Sequence, residues 1–215
     1  TNDVTMPNPM ADLVDGAVIN RAKRFRLLTS LYGQVNFTDD LSYRINVGPD
    51  LIYAGGGDFR ASNTSARNQG LSSAGVNGDL TLLYTIENLL NYKKTVANKH
   101  RFDVTALYSI SARTNEGMTA AVQDLPVNQF EYYNLGAASQ INGVGSSYEK
   151  WSILSYMGRI NYSFADRLSL TLTGRADGSS RFSTEEKWGF FPSAAIAYNL
   201  HEEAFLRRLP TLDQF

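Results

Sequence analysis

Apolar and polar side chains alternate along three stretches of the chain. From Leu41 to Val47, Leu41, Tyr43, Ile45 and Val47 fall on one side and Ser42, Arg44 and Asn46 on the other. From Arg101 to Ser111, Phe102, Val104, Ala106, Tyr108 and Ile110 oppose Arg101, Asp103, Thr105, Ser109 and Ser111, with Leu107 the exception. From Leu168 to Asp177, Leu168, Leu170, Leu172, Gly174 and Ala176 oppose Ser169, Thr171, Thr173, Arg175 and Asp177. Successive side chains of a β-strand point to opposite faces, so each stretch is expected to be a strand with one apolar and one polar face. Segments 24–37, 79–92, 151–164 and 188–200 follow the rule less strictly, giving seven predicted strands.

Most of these run 10 to 14 residues, against a usual strand length of about 5–6 and the ~9–11 residues of a tilted bilayer-crossing strand. The connections alternate in length as well. Thr38–Asp40 and Ala165–Arg167 are tight turns and Lys93–His100 is short, whereas 54–78 and 113–150 are long and 178–187 intermediate. Every second connection of an up-and-down sheet emerges at the same end, so the short ones gather on one side. Bacterial outer-membrane barrels have that asymmetry, with short periplasmic turns and longer extracellular loops. The expected fold is therefore all-β: an antiparallel, up-and-down transmembrane β-barrel segment. Residues 1–23 are expected to be the end of an extracellular loop, 24–200 the seven strands, and 201–215 a periplasmic turn leading to the next strand.

Composition agrees with that picture. Charged residues make up 19% of the chain, below the ~25% of a soluble domain. Its 12 Tyr and 11 Phe include Tyr53, Tyr92, Trp151, Phe164, Trp188, Phe190 and Tyr198 near predicted strand ends, where an aromatic girdle would meet both membrane interfaces. A formal net charge of −1 gives no broad field that favours nucleic acid or anionic lipid. The absence of cysteine excludes disulfides, thiolate metal sites and thiol catalysis. Seven strands cannot close a barrel of even count and an open edge cannot face lipid, so the chain is expected to continue on both sides. Its start, TNDVTMPNPM, carries neither an initiator Met nor a signal peptide, which also favours an internal fragment.

Particular strings then stand out. RADGSSRF at 175–182 followed by KWGFFPSAA at 187–195 closely resembles the late-barrel signature of SusC/RagA-type TonB-dependent transporters. YYNLGAAS at 132–139, SSYEKWSILSYMGRINYSF at 146–164 and NPMADL at 8–13 resemble the same family in the same order. The resemblance implies a plugged barrel of about 22 strands in the outer membrane of Bacteroidetes-like bacteria. It further implies coupling to TonB, a SusD-like surface lipoprotein as lid, and oligosaccharide or peptide cargo. A plug domain and a TonB box lie upstream in the family and are not seen in this sequence.

On this reading Arg44, Asp103, Arg159, Asn161, Thr171 and Arg175 face a polar lumen. Tyr43, Ile45, Val104, Tyr108, Leu168, Leu170 and Leu172 face outer-membrane lipid. Tyr132 and Tyr133 suit contact with cargo or lid, although packing of their loop onto the barrel is the favoured account. Asp177 and Arg181 admit a cargo or lid contact too, but Asp177-Gly178 reads more readily as a hairpin turn with Asp177 paired to Arg181. Gly55-Gly56-Gly57-Asp58 lacks the Lys-Ser/Thr pair of a phosphate loop and reads as a surface loop. Neighbouring acidic pairs such as Asp39-Asp40, Glu185-Glu186 and Glu202-Glu203 point apart and do not form acid–base dyads. His100 and His201 have no nucleophile nearby in sequence. No enzyme, cofactor or metal site is expected. A soluble all-β carbohydrate-binding domain is the alternative, and it would bury the Leu168–Ala176 stripe in a core of its own.

Overall fold

The computed structural model describes residues 9–200, apart from 69 and 184. A short 3-10 helix (Pro9–Leu13) precedes β1 (Val18–Leu28), β2 (Leu31–Asn36), β3 (Leu41–Arg60), β4 (Ser73–Val96), β5 (His100–Gln123), β6 (Gln140–Phe164), β7 (Leu168–Ser179) and β8 (Trp188–Tyr198). These make one 8-stranded sheet of sequential neighbours, with β1 and β2 both paired to β3. Leu28 lies opposite Asp50 and Leu31 opposite Val47, a single unbroken register. The interruption at Thr29-Ser30 faces Gly48-Pro49, where proline has no N–H to give although its carbonyl accepts from Thr29 N at 3.0 Å. β1 and β2 are thus one strand nicked by a proline on its neighbour, and the predicted seven-strand pattern is recovered in that form.

Strand lengths correct the sequence reading. β3, β4, β5 and β6 contain 20, 24, 24 and 25 residues, roughly double a bilayer crossing. Stretches expected as loop at 54–60, 73–78, 113–123 and 140–150 are strand, and the loops shrink to 61–72 and 124–139. The first strand begins at Val18, not residue 24, so the tail of the expected first loop is strand as well. Alternation fails to mark these extensions because Gly, Asn, Ser and Thr populate both faces, which is what a strand does when neither face meets hydrocarbon. The expected turn from Lys93 to His100 contracts to 97–99. The expected periplasmic turn at 201–215, with His201 and Glu202-Glu203, lies outside the described residues.

Two of the tight turns share one geometry. Ala97 and Asn98 have φ of 51° and 53°, Ala165 and Asp166 of 50° and 57°. Lys99 N donates to Val96 O at 3.2 Å and Arg167 N to Phe164 O at 3.0 Å. Two central residues at positive φ define the type I′ turn, whose twist matches that of paired strands. Successive turns are stitched together: Lys93 N donates to Asp40 O at 2.8 Å, Ala165 N to Lys99 O at 2.7 Å, and Asn199 N to Arg167 O at 2.6 Å.

The chain divides into two compact units. A loop-bearing unit comprises Thr1–Leu28, Asp50–Leu83 and Arg113–Lys150, and a turn-bearing unit comprises Thr29–Pro49, Tyr84–Ala112 and Trp151–Phe215. The loop-bearing unit holds the one cluster of buried apolar residues among the described residues: Ala17, Phe59, Ala61, Ala74, Val122, Leu125 and Tyr132. In the turn-bearing unit large apolar side chains remain exposed, among them Ile160, Leu172, Phe190 and Ile196.

Candidate functional site

The polar face of the turn-bearing unit carries a series of cross-strand hydrogen bonds and ion pairs. Arg44 Nε donates to Asn46 Oδ1 at 2.8 Å, and Asn46 Nδ2 donates to Glu87 Oε2 at 3.0 Å. The Arg44 guanidinium also lies 4.2 Å over the ring of Tyr32. Thr105 donates to Asn91 at 2.9 Å, and Lys93 sits 3.5 Å from Asp103. Arg159 Nε donates to Thr173 Oγ1 at 3.3 Å and Thr171 Oγ1 to Asn161 Oδ1 at 2.9 Å. Arg175 Nε reaches both Asp177 oxygens at 2.9 and 2.8 Å, and its Nη2 donates to Ser155 at 3.2 Å. Every residue expected to line a lumen lies on this one face, because cross-strand partners share a face. Glu87, Asn91 and Ser155 complete the series. They lie in predicted strands, but nothing in their spacing marks the partners they meet.

The opposite face is apolar. Tyr108 packs on Tyr156 at 5.3 Å between ring centroids, and Tyr156 on Trp188 at 5.9 Å. Phe102 meets Tyr162 at 5.0 Å. Leu168, Leu170 and Leu172 pair across β7 and β8 with Tyr198, Ile196 and Ala194. Tyr43 belongs to the same face and donates through its hydroxyl to Asn88 Oδ1 at 2.6 Å, satisfying a polar group there. His100 is an aromatic member of this face: its Nδ1 lies 2.8 Å from the Tyr162 hydroxyl and its ring 5.0 Å from Phe164. A soluble domain would cover these side chains, and Leu172 is 44% exposed. Among the described residues no core covers the Leu168–Ala176 stripe, as the carbohydrate-binding alternative would require.

The remaining candidates are placed differently from expectation. Asp177 and Gly178 are strand residues, opposite Gly189 and Trp188, and the loop begins only at Ser180. Asp177 pairs with Arg175, Arg181 lies 5.3 Å over the Trp151 ring, and the expected turn at Asp177-Gly178 is strand. Gly178 has another reason to be glycine: a Cβ there would sit 2.9 Å from the Trp188 indole.

Tyr132 and Tyr133 part company. Tyr132 is 8% exposed and packs its ring onto Gly57, leaving no room for a Cβ at that position. Tyr133 is 65% exposed. Its hydroxyl accepts from Tyr132 at 3.2 Å and from Arg21 Nη1 at 2.9 Å. These donors, Tyr132 first, hold the Tyr133 phenol below its usual range. Glu131, with φ of 47°, completes the group 3.9 Å from Arg21.

The loop-bearing unit is tied down by short-side-chain bonds. Asp124 N donates to Ser72 O and Leu125 N to Ser72 Oγ, both at 2.9 Å. Asp12 latches the N-terminal 3-10 helix to loop 61–72: its Oδ1 accepts from Ser65 N at 2.6 Å and its Oδ2 from the Ser65 hydroxyl. Those bonds, the hydroxyl first, lower the Asp12 pKa from its ordinary value.

Comparison with known proteins places this geometry. A family model described as TonB dependent receptor-like, beta-barrel matches residues 6–208. TonB-dependent receptor P3 of Formosa agariphila is 30% identical over 211 residues, covering 95% of this chain and 20% of that protein. TonB-dependent receptor SusC of Bacteroides thetaiotaomicron is 48% identical over 61 residues, 28% of this chain and 6% of that protein. Among solved structures, the RagAB peptide transporter superposes with a TM-score of 0.83 at 15% identity, covering 89% of this chain and 21% of that one. The chain spans about a fifth of the length of the curated relatives that it matches end to end.

Proposed function

The chain belongs to the TonB dependent receptor-like β-barrel family of the outer membrane, and from that premise we propose that it forms part of the wall of a transporter. The polar face of Arg44, Asp103, Arg159, Asn161, Thr171 and Arg175 lines the lumen. The apolar face of Tyr43, Ile45, Val104, Tyr108, Leu168, Leu170 and Leu172 meets lipid. The observation that carries this reading is the pair of unlike faces on one sheet, one hydrogen-bonded across strands and the other apolar and exposed. Only a wall between water and hydrocarbon stabilises both at once.

Cargo in this proposal is an oligosaccharide or oligopeptide. Guanidinium, amide and hydroxyl groups along the polar face offer both donors and acceptors to glycan hydroxyls or peptide amides. A SusD-like lipoprotein closes over the extracellular loops, and TonB drives the intact protein through its plug and TonB box. The resemblance in the late-barrel strings supports that assembly, as does the likeness to relatives that are receptors and transporters rather than enzymes.

Single cysteines test the wall directly, since this chain has none of its own. In the full-length protein in whole cells, a membrane-impermeant thiol reagent should label Thr171→Cys and spare Leu170→Cys. Labelling at both positions, or at neither, would remove the assignment of faces. Uptake of fluorescent oligosaccharides against oligopeptides of equal size then decides the cargo class.

A further inference from the structure

On β1, alternate residues of one face run Leu27, Phe25, Lys23, Arg21 and Ile19, opposite Leu51, Tyr53, Gly55, Gly57 and Phe59 of β3. Side chains change from apolar and aromatic to cationic between Phe25 and Lys23. That order is what a strand shows on leaving hydrocarbon: an aromatic ring at the interface, then a cation at the level of lipid phosphate. Arg21 is occupied by Tyr133 and Glu131. Lys23 has no hydrogen bond or ion pair among the described residues, and it stands at the edge of a hollow of about 640 Å³. Tyr53, Val76, Met118, Tyr132 and Val144 wall this hollow, and glycines 55, 56, 78 and 145 keep it open. Met118 is 70% and Val144 78% exposed, unusual for large apolar side chains with no partner.

We propose that this hollow binds the headgroup of a phosphorylated glycolipid of the outer leaflet. Three parts of such a molecule find three matching surfaces. Its phosphate meets Lys23 Nζ, its sugar packs against the rings of Tyr53 and Tyr132 with Met118 and Val144 as flanks, and its acyl chain descends over Phe25, Leu27 and Leu51. The loop 124–139, held over Gly57 by Tyr132, forms the upper wall. Charge and position select the lipid over a protein partner: a lone cation beside an apolar hollow suits one anionic group attached to a hydrophobic body. The inference rests on the proposed assignment of faces, because it requires this side of β1 and β3 to be the lipid side.

The test uses the full-length protein, purified in neutral detergent and titrated with diphosphoryl lipid A or its dephosphorylated form. Wild type should bind the phosphorylated lipid more tightly by about fivefold, the scale of one cation at a membrane surface. Lys23→Gln should abolish that preference and Lys23→Glu reverse it, while Lys99→Glu, in a tight turn, should leave it unchanged. Equal affinity for the two lipids in wild type, or a preference that survives Lys23→Gln, overturns the proposal. Heat-modifiable gel migration of each variant reports the folded barrel separately. A wild-type protein recovered from the soluble fraction would instead overturn the assignment of faces beneath it.

Discussion

The turn-bearing and loop-bearing units use the same strands to solve different problems. In the turn-bearing unit, tight turns fix strands whose apolar side chains stay exposed and whose polar side chains bond to each other across the sheet. In the loop-bearing unit, the strands carry a small core, Phe59 and Tyr132 at its centre, and loops bound by Ser72, Asp12 and Asp124. The difference shows that alternation along a strand reports solvent rather than backbone. Where one face is apolar and the other hydrogen-bonded, the pattern is readable, most cleanly from Leu168 to Asp177. Where Gly, Asn, Ser and Thr populate both faces, as in 73–78, 113–123 and 140–150, the ladder continues and the pattern vanishes.

The sharpest way to break that comparison is to put a charge on the apolar face. Leu170→Arg should cost about 2–4 kcal/mol of barrel stability if it lies near the bilayer midplane. Thr171→Arg, one residue on, should insert normally. Urea unfolding of the full-length protein in lipid vesicles measures both, and equal tolerance would dissolve the distinction between the faces.

A second substitution probes the loop-bearing unit alone. Gly57→Ala places a methyl where the Tyr132 ring lies. Overpacking of this kind costs about 1–3 kcal/mol, here borne by loop 124–139 rather than by the wall. Limited proteolysis should cut that loop faster while heat-modifiable migration of the barrel stays as in wild type. A barrel lost together with the loop would mean that the two units do not respond independently.

A smaller effect is expected at Arg175–Asp177. Both residues are partly exposed, so Asp177→Asn should lower stability by less than about 1 kcal/mol. Transport should respond more than stability, through the KM for cargo, if this pair faces the lumen. A large loss of stability with unchanged KM would make the pair a structural strut instead.

Much of the turn-bearing unit was legible in the sequence, and particular residues say why. Leu168 to Asp177 alternates without fault because one of its faces is apolar and the other is hydrogen-bonded across the sheet. The Ala165–Arg167 turn shows itself through Asp166, which tolerates positive φ. What stayed hidden depends on distant contacts. Three glycines at 55–57 read as a loop, yet Gly56 abuts the Arg21 carbonyl and Gly57 lies beneath Tyr132. Asp177-Gly178 reads as a turn, yet Gly178 is required by the Trp188 ring across the strand pair. In each case the glycine answers a neighbour far away in the chain, and local turn chemistry offers the wrong explanation. The partners of Asn46 and Arg175 across the sheet were hidden for the same reason, since Glu87 and Ser155 come from strands whose register the sequence does not display.

The finest distinction between the units is their response to acid. Asp12 joins the N-terminal 3-10 helix to loop 61–72 by accepting from the Ser65 hydroxyl and backbone N–H, and these bonds depress its pKa in the folded protein. A depressed carboxyl contributes stability that is fully present above the unfolded aspartate value, about 3.9, and is lost as pH falls through the folded one. The latch should therefore hold at neutral pH and loosen only below about pH 4. Hydrogen exchange of the full-length protein, followed in the peptides spanning 9–17 and 61–72, should rise there relative to Asp12→Asn. That variant, which has lost the carboxylate, should show raised exchange with no acid step of its own. The stitched turns around Lys99 and Arg167 are joined by backbone hydrogen bonds that do not titrate, with only the solvent-exposed Arg101–Asp166 pair beside them, and should show a much smaller step. An acid step in the turns as large as that at Ser65, or none at Ser65, would place the pH-sensitive contact outside the loop-bearing unit.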